Sequence, residues 1–182
     1  MRHWPAATLR YVLVGYVLIP LVINVGINAF LGWLLFLDRD SVPVWGIPSS
    51  VCMEIIGTGF LLPLITAAIS SRVLMRHLRS GMVEPVPARE AGSGIVSRIT
   101  VWVGWVLQGG SFGGCLQFSF VVLPFLAVPA LLVLFVFAGD SMDRVALIGV
   151  KSVYAGLCGL VVTPLIAISL LSHRRQLSTV SR

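Results

Sequence analysis

The chain has 182 residues, of which 57% are hydrophobic and only 11% charged. A soluble domain carries about 25% charged residues, so this composition excludes a water-facing surface over most of the chain. A net charge of +6 in so apolar a sequence points to anionic lipid headgroups rather than to nucleic acid.

Four continuous apolar stretches follow one another at residues 11–37, 47–71, 115–138 and 145–171. A helix rises about 1.5 Å per residue, so roughly 20 apolar residues cross the hydrocarbon core, and each stretch is long enough. Backbone polar groups in lipid must be satisfied internally, which leaves helices or closed barrels. Runs this long without alternation are helices. The expected fold is an all-α transmembrane bundle of four helices.

Residues 1–10 are basic but show no small-residue cleavage site behind a short apolar core. The first stretch is therefore expected to be a permanent anchor. It carries Asn24 and Asn28 one turn apart on one face, and the second stretch carries Glu54 and Thr58 in the same relation. Ser49, Ser50, Ser70 and Ser71 fall at helix ends, where capping is their ordinary use.

The connector 82–114 starts with a Pro-, Gly- and charge-rich link over 82–94. A short helix is expected at 95–107, with Arg98, Trp102 and Trp105 at helical spacing, lying in the cytoplasmic interface. Gly109-Gly110 and Gly113-Gly114 would end it before the third span. The rival reading makes 99–117 a fifth span and sends the C-terminal arginines outside. In the fourth span, Lys151 and Tyr154 lie within the first turns.

Arg2, Arg10, Arg72, Arg76, Arg79, Arg89, Arg98, Arg174, Arg175 and Arg182 fall on the side of the termini and central connector, against Arg39 and Arg144 on the other. This bias predicts both termini in the cytoplasm. Arg72, Arg76, Arg79, Arg98, Trp102, Trp105, Arg174 and Arg175 are the expected contacts to anionic headgroups.

The two halves also read alike. Val17-Leu18-Ile19-Pro20-Leu21 parallels Val121-Val122-Leu123-Pro124-Phe125, and Pro63-Leu64-Ile65 parallels Pro164-Leu165-Ile166. The outer loops match too, Asp38-Arg39-Asp40-Ser41 against Asp140-Ser141-Met142-Asp143. The expectation is a two-span hairpin duplicated in parallel orientation, with a pseudo-twofold axis along the membrane normal.

Polar residues within lipid carry the functional lead, because they are costly and face the bundle interior. Glu54 and Lys151 have opposite signs and similar expected depth, so a pair is predicted. Asn24, Asn28, Thr58 and Tyr154 are expected to join it in one polar cluster. One reading makes the cluster structural glue between the hairpins; the other makes it a solute or ion path through an oligomer.

Cys52, Cys115 and Cys158 form no C-x-x-C pair and are expected to be free thiols. His3, His77 and His173 sit at span ends, and no H-E-x-x-H, G-x-S-x-G or phosphate-cradling loop occurs. No catalytic, metal or cofactor site is expected.

Asn24 and Asn28 followed by Trp33, then Gly59-Phe60-Leu61-Leu62-Pro63 leading into Arg72 and Arg76, give a pattern that loosely resembles small bacterial membrane proteins built from two-span units. The likeness covers mainly the first half, since the second half has Val128 and Leu132 near the aligned positions. It implies a bacterial inner-membrane setting and nothing catalytic. The expected role is an accessory or assembly subunit, as a homo-oligomer or with a larger membrane partner.

Overall fold

A computed structural model describes residues 6–83, 94–108 and 110–180, with side chains described from 7 to 172 within those ranges. The expected link over 82–94 falls almost entirely on residues 84–93, outside the described residues.

The first span is one rod in three parts: α1 (Ala6–Leu13), a π turn (Val14–Leu18) and α2 (Ile19–Leu35). The cause is Pro20, which has no N–H to give to the carbonyl four residues back and whose ring crowds that carbonyl. The helix widens by one residue ahead of it, so that the Ile19 N–H bonds to the Val14 carbonyl.

α3 (Val51–Arg79) starts four residues later than expected and runs eight residues past residue 71. Gly46 (φ 124°) and Pro48 hold the chain out of helix before it. Ser50 then caps α3, its hydroxyl accepting from the Met53 N–H at 3.3 Å. At the far end Arg76, His77 and Arg79 lie on the last turn, where cations favour the negative helix end.

α4 (Ile95–Leu107) ends before a turn at Gly110 (φ 57°), and α5 (Phe112–Phe137) begins behind a Ser111 cap. Residues 99–117 are therefore not one helix, and among the described residues no fifth helix is long enough to span. Gly113 and Gly114 lie inside α5 rather than breaking the chain before it. α6 (Arg144–Val180) also outruns its expected end at 171.

The bundle is not purely helical. β1 (Ser41–Pro43), between α2 and α3, and β2 (Ser141–Asp143), between α5 and α6, pair antiparallel with Val42 opposite Met142. The Val44 N–H bonds to Asp140 (2.9 Å), the Arg144 N–H to Asp40 (3.1 Å), and the Arg144 guanidinium to the Leu37 carbonyl (2.7 Å). Val42 within this ribbon and Val44 just after it are fully buried.

α6 is the central helix. It packs against α2 and α3, with α4 on its C-terminal half, while α5 packs on α3. Buried residues make up 61% of the α6 span, against 11% in each of the first and third spans. The packing units are thus not the sequential hairpins: the first helix of each half lies on the second helix of the other. The long loop at 36–50 lets α2 and α3 separate, and small residues on α6 admit α2. A Cβ on Gly156 would come within 2.8 Å of Val25, and one on Gly32 within 3.2 Å of Ile148. Gly15 and Gly113, by contrast, face open space.

Candidate functional site

With α3 starting at Val51, Glu54 lies in its first turn, where the positive helix end favours a carboxylate. Lys151 lies two turns into α6, which runs parallel to α3. The Lys151 ammonium donates to Oε2 of Glu54, and the two form a salt bridge. The Lys151 side chain is only 6% exposed and that of Glu54 25% exposed. The acid therefore forms the lip of the pair and the base its floor. A buried ammonium without a partner would be strongly destabilising, so the geometry neutralises Lys151 where it stands.

One turn further in, the Tyr154 phenol lies over Gly59. A Cβ at that glycine would come 2.5 Å from the phenol oxygen, so only glycine leaves it room. The hydroxyl is buried and meets no oxygen or nitrogen partner among the described residues. Thr58 is buried on α3 one turn after Glu54. Val51, Ile55, Leu147 and Ala155 belong with Tyr154 to the apolar core at the ribbon end of the bundle.

The single six-residue cluster does not form. Asn28 donates to the Asn24 carbonyl of its own helix at 2.9 Å. The Asn24 amide lies in the notch at Gly159, about 12 Å along α6 from Lys151 at helical rise. Among the described residues no hydrogen bond links either asparagine to the ion pair. An asparagine in a helix can bond its own backbone, and these sit on the α2–α6 seam rather than the α3–α6 seam.

At the opposite end, Arg72, Arg76 and Arg79 are exposed on the last turns of α3, and Arg98 and Trp105 on α4, whereas Trp102 packs partly against the apolar core there. The side chains of Arg174 and Arg175 lie outside the described residues.

Sequence reasoning missed a hydrogen-bonded chain here. The Tyr11 hydroxyl lies 2.7 Å from Nδ1 of His77 and 3.3 Å from the Tyr16 hydroxyl. Positions five apart do not meet on an α-helix; the π turn brings them together. Pro20 was the available signal.

Among the described residues no group of three or more His, Cys, Asp or Glu could hold a metal, and the three cysteines are free thiols. The class these features define is a helical protein with four helices long and apolar enough to cross a membrane. No family model, curated protein or solved structure matches the chain.

Proposed function

We propose that this chain is a non-enzymatic, four-span subunit of a bacterial inner-membrane assembly, with both termini in the cytoplasm and basic ends against anionic headgroups. The observation that carries the reading is the Glu54–Lys151 pair, which closes on itself between α3 and α6 beneath the β ribbon. Charges used this way hold helices in register. The largely exposed apolar faces of α2 and α5 are the surfaces offered to a second copy or to a larger membrane protein. No nucleic acid is involved.

Duplication of a two-span unit fits the same arrangement. β1 and β2 pair about a local twofold, and α2 lies on α6 as α5 lies on α3. The resemblance to two-span bacterial membrane proteins belongs to this reading.

Purification in mild detergent, with mass measurement and identification of co-purifying protein, tests the subunit role. The reading requires a homo-oligomer or a bound membrane protein; a lone monomer contradicts it.

A permeation path is the second reading, favoured by the partly exposed Glu54 carboxylate and the buried Tyr154 hydroxyl beside it. It requires solute flux in reconstituted vesicles that Glu54→Gln abolishes; vesicles that stay tight oppose it.

A further inference from the structure

The end of the bundle away from the β ribbon carries a feature that the ion pair does not use. Ala7, Arg10, Tyr11, Val14 and Gly15 line an open groove of about 520 Å³ along one face of α1 and the π turn. Its floor is apolar: Val14 is exposed, and a Cβ on Gly15 would meet nothing within 4 Å. Exposed Arg10 stands on one rim. Tyr11 forms the other, its hydroxyl fixed 2.7 Å from Nδ1 of His77 and its ring edge-on to the imidazole. Neighbouring His77 on α3 are the exposed Arg76 and Arg79.

The rod that bears this groove is long and apolar enough to cross a membrane, and at its basic end an exposed apolar face of that kind is suited to lipid. Arg10 is followed by apolar sequence through Leu35 broken only by Asn24 and Asn28, which sets its guanidinium at headgroup depth.

We propose that this groove is a binding site for one anionic phospholipid. Its phosphate is held by the Arg10 guanidinium, a planar fork suited to phosphate oxygens. An acyl chain runs inward along Val14 into the open notch at Gly15. Charge complementarity selects the headgroup: a zwitterionic lipid would bring its own cation to an end already crowded with Arg76 and Arg79. The apolar floor selects a lipid over free phosphate, which would leave the notch empty. The site depends on the membrane-spanning reading but not on the subunit role, because bound lipid is counted whether or not a protein partner is present.

The test uses the full chain in mild detergent, mixed with phosphatidylglycerol or phosphatidylcholine, with bound lipid counted by native mass measurement and the Tm recorded. The wild type retains one phosphatidylglycerol in preference to phosphatidylcholine and gains Tm with it. Arg10→Gln weakens phosphatidylglycerol retention about fivefold, the scale of one cation at an anionic surface. Gly15→Leu fills the notch and removes retention while the lipid-free Tm holds. Gly149→Leu, at an equally open glycine on α6, leaves retention intact. The proposal is overturned if Arg10→Gln and Gly15→Leu retain the lipid like the wild type, if both lipids bind equally, or if inorganic phosphate alone reproduces the Tm gain.

Discussion

The side-chain amide of Asn24 on α2 occupies the space that a Cβ on Gly159 of α6 would fill. The residue that reads from sequence as a candidate pore-lining amide is thus a wedge in the seam between the first helix and the central one.

Gly159→Ala should therefore lower stability by about 1–3 kcal/mol, the usual cost of overfilling a packed seam. Asn24 must swing out, because its Cγ also lies only 3.3 Å from the new methyl position. Gly57→Ala, where a Cβ meets nothing within 4 Å, should be neutral or stabilising by up to about 1 kcal/mol through helix propensity. Unfolding curves of the two variants in the same detergent make the comparison.

Glu54→Gln and Lys151→Met probe the ion pair. Removing one partner of a fully buried pair costs about 3–5 kcal/mol. Glu54 is a quarter exposed, so solvent softens each single loss to about 1–3 kcal/mol. The double variant should lose less than the two single losses together, with a coupling of about 1 kcal/mol or more. Strictly additive losses would mean that the two charges act independently.

The β ribbon carries its own prediction. Val44 is fully buried, and its backbone bonds both to Asp140 and to Cys52 at the start of α3. Val44→Ala should cost about 1–2 kcal/mol by leaving a cavity there. Ile47→Ala, at a side chain 86% exposed, should stay within about 0.5 kcal/mol of the wild type in the same thermal melts.

The four long helices are legible in the sequence because crossing lipid demands length and apolarity, and both can be counted. The order in which they pack is not. In water an apolar stripe marks the buried face, but lipid is as apolar as leucine, so hydropathy cannot tell α6 from α5. α5 has the highest hydropathy of the four spans and is mostly exposed; α6 is mostly buried. The usable signal was small and polar content: Gly156, Gly159, Ser152, Thr163 and Ser169 lie buried on α6. The meeting of Glu54 with Lys151 can be read from charge alone, since neither is tolerable by itself in hydrocarbon. The asparagines mislead because each matches the pair in polarity while facing another seam. The ribbon of β1 and β2 was beyond reach, as three-residue strands are too short for any alternation to register.

Cysteine accessibility tests the central claim, a four-crossing bundle with the ribbon outside and the arginine-rich ends inside, most directly. In intact cells, with Cys52, Cys115 and Cys158 replaced by alanine, Asp140→Cys should react with a membrane-impermeant thiol reagent. Arg79→Cys should react only after the membrane is opened. Labelling of position 79 from outside, or of position 140 only after lysis, would contradict the arrangement.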